Sequence, residues 1–262
     1  DIMSLLSTLL LAILQAITEW LPISSEGQIF YVAVNFLGMT PLDTFRVVIM
    51  LHLGTSLSVL AKYRKEYADA LTKDKKMFNF LFFSTIGTAL VAVPLYFALK
   101  EIFLSVPASI ITILIGIFLI FTGFLLKTSR NVTKFMKRED VTIKEALLAG
   151  IVQGFAILPG VSRSGITTSY FLLRKYDKEE SFNLSFLMSV PVVLGLFTLD
   201  IVTTADLVIS SEIILAVLVT AIIGYIMIEF FLGIARKFSF SGVCFFFGSI
   251  MILLTIIQYT VI

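Results

Sequence analysis

Two short stretches hold the residues whose types and spacing could do chemistry. The first, 15–28, reads Q-A-I-T-E-W-L-P-I-S-S-E-G-Q and offers Glu19, Ser24, Ser25, Glu26 and Gln28. The second begins at Gln153, reads Q-G-F-A-I-L-P-G-V-S-R-S-G over 153–165, and offers Ser162, Arg163, Ser164, Thr167 and Thr168. A permanent cation among small hydroxyl residues at the start of a short helix, with Gly165 letting the backbone come close, is a donor set suited to phosphate. A carboxylate substrate has fewer acceptor oxygens and fits less well. Glu19 reads as a general base, a metal ligand or a structural partner of Arg163. Arg163 could instead serve only to pair with Glu19 or Glu26 and so tie two segments together. Ser25 is a nucleophile if a base stands within reach, though serine also caps helices.

The elements that must position these groups follow from composition. Of 262 residues, 58% are hydrophobic and 15% charged, with 25 Phe and one His, where soluble domains run near 45–50% and about 25%. Disorder, coiled coil and nucleic-acid binding are excluded, and the single Cys244 excludes an internal disulfide. Six runs have the length and apolarity of a membrane span: 47–61, 77–99, 102–126, 182–199, 213–235 and 238–262. The apolar runs 2–18 and 28–38 are broken by the Pro22 turn, and 146–158 and 166–173 by Pro159-Gly160. Each half-run is too short to cross, so the pairs read as re-entrant hairpins, with two kinked spanning helices as the other layout. The fold expected is an all-α polytopic membrane protein.

Charge sets the topology. Six Lys/Arg lie in 62–76, six in 127–144, three at Arg174, Lys175 and Lys178, and two at Arg236-Lys237. Six crossings and two hairpins place all four clusters on the cytoplasmic side and both termini outside. No cleavable signal peptide is expected, since the opening segment lacks a basic stretch. One hairpin plus three spans has odd parity, so a second copy enters the membrane inverted. The repeats expected are 1–126, with hairpin 2–38, and 127–262, with hairpin 146–174, in one membrane domain. Such repeats put the ligand between the two tips near the midplane. His52 reads as a helix–helix hydrogen-bonding group, Glu229 as snorkelling or pairing with Arg236, and Trp20 as an interface anchor. No metal triad, Walker loop or dinucleotide fingerprint is present.

T-E-W-L-P-I-S-S-E-G at 18–27 and L-P-G-V-S-R-S-G at 158–165 resemble the undecaprenyl-pyrophosphate phosphatase family, the membrane enzymes associated with bacitracin resistance. The resemblance covers essentially the whole chain. It implies hydrolysis of a polyprenyl diphosphate to the monophosphate at the outer face of a prokaryotic plasma membrane, recycling a lipid carrier for cell-envelope synthesis. It implies Glu19, Ser25 and Arg163 as catalytic residues. Ser24, Glu26, Gly27, Gln28, Ser162, Ser164, Gly165 and Thr167 are implied around the diphosphate. A divalent cation, Mg2+ or Ca2+, is implied on Glu19 with Gln15. Gln15 stands where the family usually has a glutamate and Gln28 where it usually has a histidine, a variant similar to archaeal-type members and to a dolichyl-like carrier. The partners expected are the polyprenyl diphosphate lipid, the bilayer and a second copy of the chain in a homodimer, with no nucleic acid. The competing readings are a polyprenyl-phosphate transporter or flippase and a non-catalytic lipid-phosphate binder on the same scaffold.

Overall fold

A computed structural model describes residues 5–128, 141–204, 210–237 and 240–261; among these every regular element is helical. The chain opens with two short helices, α1 (Leu5–Thr18) and α2 (Ser25–Phe36). At about 1.5 Å per residue they span roughly 21 and 18 Å, against about 30 Å for a hydrocarbon core. As described, each is shorter than such a core. Then come α3 (Pro41–Lys62), the small α4 (Arg64–Thr72), α5 (Lys75–Ser105) and α6 (Ala108–Thr128). The second half repeats the order: short α7 (Ile143–Gly154), one 3-10 turn (Phe155–Ile157) and short α8 (Arg163–Leu173), followed by long α9 (Lys178–Thr203), α10 (Ser211–Lys237) and α11 (Ser241–Val261). Six helices, α3, α5, α6, α9, α10 and α11, are long and apolar enough to cross a membrane. They match the six expected runs. The basic stretch 129–140 and the side chains of Arg236 and Lys237 lie outside the described residues.

Local chemistry starts each helix where the sequence asks. Thr40 accepts from the Asp43 amide ahead of Pro41, and Asp74 from Met77. Thr142 and Glu145 form a reciprocal capping box, and Asp177 accepts from Glu180; each cap satisfies an amide that the first turn leaves open. Glu145 also receives the Arg174 guanidinium from the far end of α8, at 3.1 Å from Nε. Burial pushes its carboxyl up, but Arg174 and Thr142 outweigh that and hold it below the ordinary range. This closes the base of the second hairpin.

The halves pack crosswise. α1 lies on α10 and α7 on α5, so each hairpin leans on the second span of the other half; α3 meets α9, and α6 meets α11, like on like. The α5–α7 seam is held by close backbone approach. A Cβ on Gly150 would come within 2.0 Å of the Ser84 carbonyl, and one on Gly87 within 2.3 Å of the Leu147 carbonyl.

α6 stands behind both hairpin tips. A Cβ on Gly27 would meet Ile115 Cγ2 at 2.8 Å, one on Gly160 the Ile115 carbonyl at 2.4 Å, and one on Gly165 Thr122 Cγ2 at 2.6 Å. Ile115 and Thr122 lie on either side of the midpoint of α6, so both tips rest against its central turns. Gly27 and Gly165, expected to admit substrate, therefore serve packing against α6.

One sequence expectation changes. Trp20 is 1% exposed and sits edge-on to Phe186; it is a core residue rather than an interface anchor. Glu229 pairs with Lys62, joining α10 to α3. A proline at 191 deprives the Leu187 carbonyl of its helical partner, and Tyr67 of α4, a helix not expected, donates to that carbonyl at 2.7 Å.

Gly150→Ala is expected to force α5 and α7 apart. Overpacking of this kind costs about 1–3 kcal/mol, read as a lower melting temperature of the detergent-solubilised protein.

Candidate active site

Everything at the tips converges on the Glu19 carboxylate, just past the end of α1 and 5% exposed. Oε1 receives the Arg163 guanidinium from the opposite hairpin. Oε2 accepts from Gln15 Nε2 at 2.9 Å and Ser25 Oγ at 2.6 Å, and lies 3.3 Å from His52 Nε2. A carboxylate buried among apolar helices is tolerable only with counter-charge and full hydrogen bonding. Helices α1, α2, α3 and α8 supply it, one group each.

The tips are also locked to each other. Ser24, N-cap of α2, adopts a left-handed backbone with φ of 57°, a conformation rare outside glycine and a mark of constrained sites. There its Oγ accepts from Gly27 of its own helix at 3.2 Å and from Gly160 of the other hairpin at 3.1 Å. Ser162 caps α8 by accepting from Gly165 at 3.2 Å, lies 3.3 Å from Ser164 Oγ, and Ser164 donates to the Leu21 carbonyl at 3.3 Å. Arg163 spans the gap. Its second terminal nitrogen donates to the Ser185 carbonyl on α9 at 3.3 Å, and its plane lies 5.8 Å from the Phe186 ring.

Two cavities meet here. A small polar one is walled by Glu19, Ser24, Ser25, Ser162, Arg163 and Ser164. The second, of about 450 Å³, is an apolar slot between α5 and α9, walled by residues such as Ala89, Val93, Val192, Leu196 and Val202. Glu26, His52 and Arg163 border both. A polar head opening on an apolar slot suits an amphiphile with a charged end.

Of the residues singled out from sequence, the structure brings Glu19, Ser24, Ser25, Glu26, Ser162, Arg163 and Ser164 to one cavity. Gln15, Gly27, Gln28, Gly165, Thr167 and Thr168 are not on its wall. Gln28 donates to the Ile23 carbonyl at 3.2 Å, outside both cavity walls. Thr167 is taken up by the Arg163 carbonyl at 2.7 Å and Ser185 Oγ at 2.6 Å, and Thr168 is buried on α8. Gln15 props Glu19 through Nε2, and its Oε1 is buried with no hydrogen-bond partner. His52, read from sequence as a helix–helix hydrogen-bonding group, faces Glu19; a single histidine in an apolar span carries no spacing signal for a place at the site, and only the fold brings it there.

The oxygens of Glu19 hold Arg163, Gln15, Ser25 and His52, while Gln15 Oε1 and Glu26 Oε2 are buried with no hydrogen-bond partner; these oxygens, with Glu19, are the groups that would hold a divalent cation. Among the described residues, no three His, Cys, Asp or Glu side chains converge as a metal site. Arg163 is the permanent cation at this site.

The family model for the bacitracin resistance protein BacA matches residues 8–255. The chain belongs to the BacA family. Relatives named undecaprenyl-diphosphatase include one from Methanothrix thermoacetophila, 38% identical over 97% of this chain and 98% of the relative. Another, from Methanopyrus kandleri, is 34% identical over 94% of each chain. A third, from Haloarcula marismortui, is 32% identical over 94% of this chain and 95% of its own length. With its six apolar helices, this BacA-family chain is a multi-pass membrane protein.

Removing Arg163 leaves Glu19 buried without its cation. Arg163→Ala is expected to cost about 3–5 kcal/mol of stability, as for other broken buried pairs. Glu19→Gln in the same chain should recover much of that loss, measured as a double-mutant cycle of melting temperatures.

Proposed function

We propose that the chain is an integral membrane phosphatase, hydrolysing a polyprenyl diphosphate to the monophosphate and inorganic phosphate, in keeping with the name its relatives carry. One observation carries the reading. The Arg163 guanidinium and the Ser25 hydroxyl, from opposite hairpins, meet on one carboxylate at the head of an apolar slot.

The chemistry follows from charge. An entering diphosphate competes with Glu19 for the Arg163 fork, which can hold two phosphate oxygens at once. Glu19 then loses its strongest counter-charge and becomes a better base for the hydroxyl 2.6 Å away. Ser25 Oγ attacks the terminal phosphorus, its proton passes to Glu19, and the bond to the bridging oxygen breaks to release the monophosphate. Water then displaces Ser25 from phosphorus. Arg163, with the Ser162 and Ser164 hydroxyls, holds the charge that builds on phosphate, while the prenyl chain occupies the slot between α5 and α9.

The hairpins are read as re-entrant and the halves as inverted repeats; the crosswise packing of α1 on α10 and α7 on α5 supports this, as do lengths too short to cross. The positive-inside rule supports Lys73 and Lys75 in the cytoplasm, both termini outside, and a site open to the outer face of a prokaryotic plasma membrane. Crosswise halves also suit a transporter of polyprenyl phosphate, so turnover is the deciding measurement.

Purified protein given polyprenyl diphosphate is expected to release inorganic phosphate, with Ser25→Ala and Arg163→Lys each at least about 100-fold slower, the scale of losing one charge-stabilising group. Transfer of labelled lipid across a vesicle membrane without phosphate release would favour the transporter. Orientation has its own check. In a Cys244→Ser background, a cysteine at position 75 is expected to resist an impermeant thiol reagent applied to intact cells.

A further inference from the structure

Gln153 opens the second sequence motif, and the mechanism above leaves it unused. It sits in the last turn of α7, 3% exposed, on the wall of the apolar slot that Arg163 also borders. Its amide is oriented by partners that allow no exchange. Nε2 donates to Thr88 Oγ1 at 3.0 Å and to the Met188 carbonyl at 3.3 Å. The carbonyl only accepts, and Thr88 has given its own hydrogen to the Ser84 carbonyl at 2.8 Å. A flipped amide would therefore set oxygen against oxygen. Oε1 is the end left over, buried and without a hydrogen-bond partner, a state that costs free energy until a donor arrives.

The hydroxyls on the slot wall have the same need. Thr85 donates to the Leu81 carbonyl at 2.7 Å, Ser189 to Phe186 at 2.7 Å and Thr198 to Leu194 at 2.8 Å. Like Thr88, each has spent its hydrogen on its own helix and keeps only lone pairs. A ligand lying along this wall must bring a hydrogen. An ester, an ether or a phosphate would set lone pairs against lone pairs, and a carboxylate goes to Arg163, the donor at the head. An ammonium would meet the Arg163 charge and would have to shed its water inside the bilayer. A neutral hydroxyl on an apolar chain satisfies the wall. From Ser189 to Val202, both slot residues, α9 rises about 20 Å, a length over which a chain can lie.

We infer that the slot is a binding site for a neutral lipid alcohol, whose hydroxyl donates to Gln153 Oε1 while its chain lies between α5 and α9. That the chain is prenyl rests on the phosphatase reading; the hydroxyl rests on Gln153. The alcohol and the diphosphate place their chains in one slot and exclude each other. A carrier lipid that has lost all its phosphate thereby lowers the protein's occupancy by the charged form.

Farnesol and farnesyl methyl ether separate the hydroxyl from the chain. In a Cys244→Ser background, Val93→Cys puts a thiol on the slot wall, and its rate of alkylation by a membrane-permeant maleimide reports occupancy. Farnesol is expected to slow that reaction at a concentration about tenfold below the one the ether requires, the scale of one buried hydrogen bond. Gln153→Leu is expected to erase the difference while both ligands still protect; Gln153→Met stands in if the leucine variant is not monodisperse. Equal protection by alcohol and ether, protection by neither, or a preference that survives Gln153→Leu overturns the alcohol site. Farnesol is also expected to displace a non-hydrolysable farnesyl methylene-diphosphonate competitively, and binding of both at once overturns the shared slot. A protein that prefers the alcohol to its ether yet releases no phosphate from polyprenyl diphosphate supports this site and defeats the phosphatase reading alone.

Discussion

One buried carboxylate organises this protein. Glu19 sits where apolar helices meet, and a charge in that position survives only if every lone pair and the net charge are answered. The answer draws Gln15 from its own helix, Ser25 from the next, His52 from the first span and Arg163 from the other half of the chain. The contacts that stabilise the anion are thereby the contacts that assemble the site. Folding and function share one electrostatic requirement, and neither hairpin tip can satisfy it by itself.

The requirement would be useless without a rigid stop behind the tips. α6 provides it, with Ile115 and Thr122 set against Gly27, Gly160 and Gly165. Side chains at those three positions would hold the hairpins off the post and draw the Arg163 guanidinium away from Glu19. The seam between α7 and α5 works the same way, through Gly150 and Gly87. Without water to drive helices together, close backbone packing through small residues is the main adhesive available in a bilayer. Proline does complementary work at position 191, where it frees a carbonyl for a side chain of α4 to hold.

Much of this was readable from sequence because the signals are physical and local. Long apolar runs marked the six spans, proline and glycine marked the breaks, and Glu19, Ser25 and Arg163 stood out as polar groups too costly to bury without purpose. What escaped depends on distance in the chain. The His52–Glu19 contact joins residues with no shared helix face, so no periodicity reveals it. Lys62–Glu229 and Trp20–Phe186 escaped likewise, and local reading gave Trp20 the wrong surroundings. Gly27 and Gly165 were recognised as constrained positions, but a glycine's sequence context does not say whether a ligand or a neighbouring helix occupies the space it leaves.

The apolar slot has polar contacts beside it as well as at its head. On α5, Tyr96 donates to Asp200 of α9 at 2.5 Å and Lys100 reaches the same carboxylate at 3.4 Å, past the slot residue Val93 on α5 and between the slot residues Leu199 and Val202 on α9. Those bonds pin the two spans together along the slot, which leaves its volume small. About 450 Å³ is the volume of a drug-sized molecule, far short of a long polyprenol. The remainder of such a tail must leave sideways and lie among acyl chains. A ligand held in that way never departs its two-dimensional solvent: its availability is a mole fraction in the leaflet, diluted by added phospholipid at fixed bulk concentration, and acyl-chain order becomes a determinant of how often a headgroup finds Arg163.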